Sequence, residues 1–436
     1  MKMLFPTVME RSASQRQPTG VVRRDPVNNA TPLADVEVVL DISRLISRIH
    51  HSTPTGIDRV EMAYARELLR LIPEQLSFAA LHPLGPYGRL PRAAVIDFLD
   101  NLEARWSGHG EAVSRHPVLK ARWMLKALWR MRPRPLPRGA LGRKRVLLQS
   151  SPHHLHDERA LRNILDREQA RFVCLLHDLI PMEYPEYARP GGAALHRRRI
   201  DTVARHAAAV IANSDATRQA FLPYLEKEGR TIPVEVALLG LDPYGQGEVA
   251  APAVQPYFLC LGTIEPRKNH LLLLHIWRRL SEQFGAHNIP KLMIVGRRGW
   301  ENEQIVDLLD RCPALVDCVE EYGDLPDSEL RVLMKGARAL LMPSFAEGFG
   351  MPVAEALALG VPVVCSDLPA LREVGGAVPD YLDPLDGRAW IETILDFSKE
   401  NSAGREAQLS RIASWSPPEW RQHIMVVVNI LANINY

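Results

Sequence analysis

Ser344-Phe345-Ala346-Glu347-Gly348-Phe349-Gly350-Met351-Pro352-Val353-Ala354-Glu355-Ala356-Leu357-Ala358-Leu359-Gly360-Val361-Pro362-Val363-Val364 decides how the rest of the chain is read. The apolar run before it, Ala339 to Pro343, reads as a buried strand. Gly348 and Gly350 mark a loop, and Pro352 suits the first turn of a helix, where its missing N–H would have no partner in any case. Val353 to Leu359 reads as that helix, Gly360 as its stop, and Val361 to Ser366 as the next buried strand. The pattern is strand, glycine loop, helix, strand. The free amides at the helix start favour an anion. Glu347 before the helix and Glu355 within its first turns can accept hydrogen bonds from hydroxyl groups. Amides for phosphate and carboxylates for hydroxyls suit a nucleotide sugar.

The alternative for the two glutamates alone is a surface loop residue and a solvated helix residue. The whole run S-F-x-E-G-F-G-M-P-x-x-E-A, with its Glu-x7-Glu spacing, resembles the retaining glycosyltransferases of the GT-B fold in glycosyltransferase family 4. The resemblance implies that Glu347 holds donor-sugar hydroxyls, that Glu355 holds the ribose, and that the backbone around Phe349, Gly350 and Met351 meets the diphosphate.

The 436 residues suffice for two or three domains. A hydrophobic share of 46% and a charged share of 24% are those of an ordinary globular protein, and a net charge of +2 gives no reason to expect nucleic acid as a partner. Five cysteines, Cys174, Cys260, Cys312, Cys318 and Cys365, form no pairing framework and no zinc-like spacing, which favours a reducing cytoplasm. No apolar stretch reaches membrane-spanning length. Arg23-Arg24 is not followed by the apolar segment of a twin-arginine signal. Residues 1–34 are polar and aperiodic and read as a flexible leader.

Val36 to Asp41 is the first expected strand, and a helix is expected over Val60 to Leu71. Gly56 between them reads either as a plain tight turn or as a ligand-facing loop, which the family resemblance would place against the acceptor and the donor phosphates. Arg59 reads equally as a phosphate contact or a surface charge. Residues 113–145 interrupt the α/β rhythm. There Val118, Ala121, Leu125 and Leu128 share a helix face, with Trp123 and Trp129 flanking and Lys120, Lys126 and Arg130 elsewhere. Such a basic amphipathic helix suits either peripheral membrane contact over 117–138 or packing on the domain with a solvated basic face.

His153, His154 and His156 invite a metal reading, but no second ligand cluster pairs with them, so an acceptor-site loop or an ordinary loop is also open. His177 ends an expected parallel strand, Arg171 to Leu176, at the edge where open sheets bind ligands. The run H-D-L-I-P resembles the family, which implies that His177 points at the donor sugar and its reacting centre; Asp178 either orients it or caps the next segment. Ser214 reads as a helix N-cap. Residues 243–256 read as a linker.

The second domain restarts at Tyr257 with a strand and the run Gly262-Thr263-Ile264-Glu265-Pro266-Arg267-Lys268-Asn269. Arg267 and Lys268 can neutralise a diphosphate. This run also resembles the family closely, and the resemblance implies that the loop from Gly323 to Leu330 follows the nucleotide base. Leu368 to Glu373 resembles the family's P-x-x-x-E turn. The apolar helix near the C-terminus is expected to run back across the domain interface.

The expected fold is α/β: a GT-B arrangement of two Rossmann-like domains, 35–243 and 256–412, with parallel sheets facing one cleft and a last segment, 413–436, returning to the first domain. The expected function is retaining transfer of a hexose, with mannose as the first guess, from a nucleotide sugar such as GDP-mannose or a UDP-hexose to a glycan or polyprenyl-diphosphate-linked acceptor. The setting would be bacterial surface polysaccharide synthesis, in the cytoplasm or peripherally at the inner face of the membrane. The sequence contains no D-x-D triplet, so no metal is expected. The alternatives are a catalytically inactive sugar-nucleotide or membrane-surface binding protein of the same fold, and a nucleotide-sugar epimerase.

Overall fold

The computed structural model describes residues 33, 35–51, 53–81, 87–106, 117–135, 144–241, 255–323 and 325–435. The expected leader, apart from Leu33, nearly all of the expected linker, and residues 113–116 and 136–143 of the expected insert lie outside the described residues. Leu33, assigned above to the leader, is fully buried in the core beside Val36 and Val38.

The first sheet holds β1 (Val36–Asp41), β2 (Leu76–Leu81), β3 (Tyr87–Leu90), β4 (Lys144–Gln149), β5 (Arg171–Leu176), β6 (Ala207–Ala212) and β7 (Val234–Val236) in the order β3-β2-β1-β4-β5-β6-β7. All neighbours are parallel except β2 and β3, which are antiparallel. The expected all-parallel sheet is therefore corrected at one edge. A short return strand, pinned by backbone bonds between Arg89 and Arg134, closes that side.

The second sheet holds β8 (Tyr257–Leu261), β9 (Lys291–Val295), β10 (Val319–Tyr322), β11 (Leu340–Met342), β12 (Val363–Ser366) and β13 (Asp380–Leu382). Its order, β10-β9-β8-β11-β12-β13, is parallel throughout. Strands buried on both faces need continuous apolar runs. Those runs are present: Val38 to Leu40, Val173 to Cys174, Val210 to Ala212 and Leu340 to Leu341 are each fully buried.

In each sheet the order reverses beside the first strand, β1 in one and β8 in the other. The crevice beyond the carboxyl ends at such a reversal is where open α/β sheets bind ligands.

Gly56 is no tight turn. It is the first residue of the helix Gly56–Leu71, which starts earlier than expected because Thr55 and Asp58 form a capping box. The Asp58 carboxylate accepts from the Thr55 amide at 2.8 Å and from Arg44 Nε at 2.6 Å. The helix Pro117–Arg130 forms as expected, and the structure splits the apolar face on which Leu125 and Leu128 were grouped. Met124, Leu128 and Met131 are buried, whereas Leu125 is 66% and Trp129 64% exposed. Trp123 stacks on Phe98 at 6.3 Å, so the two tryptophans do not share a face. The last helix, Trp420–Ala432, packs on Gly56–Leu71, where Tyr64 Oη lies 2.7 Å from His423 Nε2.

Candidate active site

The carboxyl ends of β1, β5, β8 and β11 converge on a cavity of about 670 Å³ between the two sheet domains. It is lined by Gly56, His177, Arg267, Lys268, Glu347, Phe349, Gly350 and Met351, eight of the residues selected from sequence. Glu355 is not among them. It lines an adjoining cavity of about 140 Å³ with Arg59, Asp327, Arg331 and Trp420, and Met351 borders both spaces.

At the reversal point of the second sheet, the turn after β8 supplies two cations and the loop after β11 supplies a carboxylate. Pro266–Lys268 is one short 3₁₀ turn, closed by Asn269 in the left-handed region. It presents Arg267 and Lys268 side by side. Lys268 Nζ lies 2.6 Å from Glu347 Oε1, and Arg267 Nη1 lies 3.0 Å from Glu347 Oε2. Arg267 also reaches Glu265 at 2.7 Å and donates to the Ala346 carbonyl at 2.6 Å. Burial alone would push the Glu347 carboxyl up; the charges of Lys268 and Arg267 outweigh it and hold the group down at about 2. Glu265, which the sequence reading left without a role, is the second counter-charge. Both cations are thus fixed by protein carboxylates, and the group of four charges is close to neutral.

The helix Met351–Ala358 starts at Gly350, whose φ of 99° demands glycine, and no side chain caps it. Among the described residues, the amides of Phe349, Gly350 and Met351 donate to no protein acceptor. These donors face the same space as Arg267 and Lys268 and favour an anion there.

The first domain contributes His177 at the end of β5. Its Nε2 lies 2.8 Å from the Ser150 carbonyl, an acceptor, so the ring carries its proton on that nitrogen. Burial pushes its pKa down and keeps the ring neutral at neutral pH. The Asp178 carboxylate accepts from the Ile180 amide at 3.1 Å, at the start of the short helix Ile180–Glu183, whose N-cap residue is Leu179. Arg59 forms a two-pronged pair with Asp327 of the second domain at 2.7 and 2.5 Å.

The two halves meet closely around the site. A Cβ on Gly348 would stand 2.3 Å from the His177 carbonyl oxygen, so only glycine allows this approach. Ser214, the N-cap of Asp215–Lys227, also donates from Oγ to the Gly348 carbonyl at 2.8 Å. Trp300 Nε1 donates to the Tyr187 carbonyl at 2.9 Å, and the Tyr187 ring stacks on Phe345 at 5.8 Å. These contacts join residues more than a hundred positions apart, which local sequence patterns do not reveal. Among the described residues, no three histidine, cysteine, aspartate or glutamate side chains are arranged to hold a metal ion, and no helix is long and apolar enough to cross a membrane.

Residues 247–377 match the family model for glycosyl transferases group 1. Over 177 residues the chain is 34% identical to the O-antigen chain mannosyltransferase B of Escherichia coli, covering 41% of this chain and 46% of that protein. Over 148 residues it is 32% identical to the O-antigen chain mannosyltransferase RfbU of Salmonella typhimurium, covering 33% of this chain and 38% of that one. The chain thus spans less than half the length of these curated relatives. Its backbone superimposes on the Anabaena protein Alr3699/HepE, solved with UDP and glucose, with a TM-score of 0.56 at 15% identity, over 90% of this chain and 99% of that one. That likeness shows the fold. Residues 247–377 are a glycosyltransferase group 1 domain, set in a chain with the GT-B fold.

Proposed function

We propose that this protein is a retaining glycosyltransferase that moves a hexose, mannose first among the candidates, from a nucleotide sugar to a glycan or lipid-linked glycan acceptor in bacterial surface polysaccharide synthesis. The observation that carries the reading is the group Arg267–Lys268–Glu347 beside the partnerless amides of Phe349, Gly350 and Met351, at the reversal point of the second sheet. Arg267 and Lys268 neutralise the diphosphate as charge moves onto it in the transition state. Glu347, held ionised, accepts from donor-sugar hydroxyls with the lone pairs its cations leave over. His177, neutral, lies across the cleft where the sugar and its reacting centre meet the acceptor. Glu355, in the smaller cavity beyond Met351, takes the ribose. Two fixed cations and the lack of a D-x-D triplet support transfer without a divalent metal.

Mannose rests on the names of the two bacterial relatives, both O-antigen chain mannosyltransferases. Peripheral membrane contact is supported by the exposed stripe Arg122, Leu125, Lys126, Trp129 and Arg132 on the helix Pro117–Arg130 and the turn after it. There the Arg132 guanidinium lies 4.6 Å over the Trp129 ring. The test is a thermal-shift screen with GDP-mannose and UDP-hexoses, followed by transfer assays on the binding donor with and without chelator. Stabilisation by one donor and chelator-resistant transfer are expected. No stabilisation by any nucleotide sugar contradicts the proposal.

A further inference from the structure

The first-domain wall of the cleft carries charge that the donor does not use. The helix Gly192–His206 turns one face to the cavity, with Gly192, Leu195, His196 and Arg199 at helical spacing. Arg197 on another face leans over Tyr224 instead. Among the described residues, Arg199 forms no hydrogen bond or ion pair, and its Nε is buried without an acceptor. The other arginines lining the cavity are engaged: Arg44 with Asp58, Arg267 with Glu265 and Glu347, and Arg189 against the Trp300 ring.

A half-buried guanidinium without an acceptor is unfavourable. A second cation makes it worse. Burial lowers the Arg199 pKa first, and the Arg44 charge lowers it further. His153, itself pushed down to about 4 by burial, feels both arginines. Asp58 offsets Arg44, so among the described residues Arg199 is the cation of this wall that no hydrogen bond or ion pair offsets.

We propose that Arg199, with Arg44, forms an anion subsite on the acceptor side of the cleft, and that the acceptor presents a phosphoryl group there. The inference rests on the glycosyltransferase reading and deepens it, by naming the chemistry of the acceptor. A guanidinium fork matches two oxygens of a phosphoryl group, and the Arg44 charge beside it, though paired with Asp58, adds to the attraction for an anion. Arg267 and Lys268, anchored in the second domain, remain for the donor diphosphate.

The test uses the full chain saturated with the nucleoside diphosphate it binds, so that the donor clamp is filled. Methyl phosphate and acetate are then titrated by calorimetry. Wild type is expected to take one methyl phosphate, and Arg199→Gln to bind it at least about tenfold more weakly. Arg199→Lys should recover part of the loss, and nucleoside diphosphate affinity should be unchanged in both variants. Arg199→Gln should melt no lower than wild type in the absence of ligand, because it relieves a repulsion; a residue that merely braces the fold would give a lower midpoint. Undiminished methyl phosphate binding by Arg199→Gln overturns the proposal. An equal loss of nucleoside diphosphate affinity would place Arg199 on the donor instead, and acetate binding as tightly as methyl phosphate would remove the phosphoryl assignment. If wild type takes no nucleoside diphosphate at all, the glycosyltransferase reading fails and this assignment falls with it.

Discussion

The carboxylate of Glu373, in the second sheet domain, accepts hydrogen bonds from the amides of Asp215 and Ala216 in the first, at 2.6 and 3.0 Å. Ser214 Oγ takes the next amide, Thr217, at 3.1 Å. The first turn of Asp215–Lys227 is thus capped half from its own domain and half from the other. A carboxylate there also meets the positive end of the helix dipole. Glu373→Ala should lower unfolding stability by about 1 kcal/mol, in line with loss of a helix cap, and should loosen the contact between domains. Denaturant unfolding and small-angle scattering check it. An unchanged midpoint and radius of gyration would mean that the cap contributes nothing to closure.

Gly348 tests the same closure at its tightest point. Its Cα passes so near the His177 carbonyl that Gly348→Ala must move one domain away from the other. We expect transfer by this variant to fall at least about tenfold, corresponding to roughly 1.4 kcal/mol, with little change in unfolding of the separate cores. Transfer at the wild-type rate would show that the observed approach is not the productive one.

Arg267, Lys268 and Glu347 could be singled out because each sits in a short run whose glycines, proline and charges all act locally. Gly262 to Asn269 is one turn, and Ser344 to Glu355 is one loop and helix start. The β8 and β11 registers then bring the two runs together, and Lys268 meets Glu347 across that junction. What sequence could not show depends on long-range packing. Arg89, Glu168, Glu37 and Arg145 form a buried ionic cluster at the amino end of the first sheet, with Arg89 and Glu168 meeting at 2.7 Å. No local sequence pattern brings these four residues together. The pairing of Arg59 with Asp327, and the absence of any partner for Arg199 among the described residues, are likewise properties of the assembled cleft. On the helix Pro117–Arg130, spacing identified a helix and grouped Leu125 with Leu128 on one face, which the structure splits. Met124 and Leu128 are buried while Leu125 is exposed, because Phe98 and the neighbouring helix set the rotation through Trp123.

Glu61 gives a pH prediction. The residue is fully buried, and burial pushes its carboxyl up to about 8. The folded state therefore holds a proton that the unfolded chain releases near the ordinary glutamate value. Stability from this group is present below about 4.5 and is lost as pH rises through about 8. Glu61→Gln keeps the shape and removes the titration. The variant should gain stability relative to wild type between pH 6 and 9, by roughly 1 kcal/mol or more at the upper end. Parallel stability–pH curves for the two proteins would contradict the assignment.

The exposed stripe on the helix Pro117–Arg130 should bind anionic vesicles. Each basic residue near such a surface adds about 1 kcal/mol, and the Trp129 ring suits the headgroup boundary. Flotation with phosphatidylglycerol vesicles should be salt-sensitive. It should be lost on combining Leu125→Ser and Trp129→Ser with Lys126→Glu and Arg132→Glu, at unchanged melting temperature, since these side chains are exposed. Equal flotation of the variant would assign the helix to the fold alone.

The central claim is that Lys268 and Arg267 hold the donor diphosphate while Glu347 meets the sugar. The most direct measurement is calorimetric affinity for the nucleoside diphosphate and for the full nucleotide sugar, taken side by side on wild type, Lys268→Ala and Glu347→Gln. Losing one charged contact of this kind is worth about 1.5–3 kcal/mol. Lys268→Ala should therefore weaken both ligands by about ten- to a hundredfold, whereas Glu347→Gln should weaken the nucleotide sugar more than the bare diphosphate. Unchanged affinity of Lys268→Ala for both ligands, or an equal loss of both in Glu347→Gln, would contradict the account.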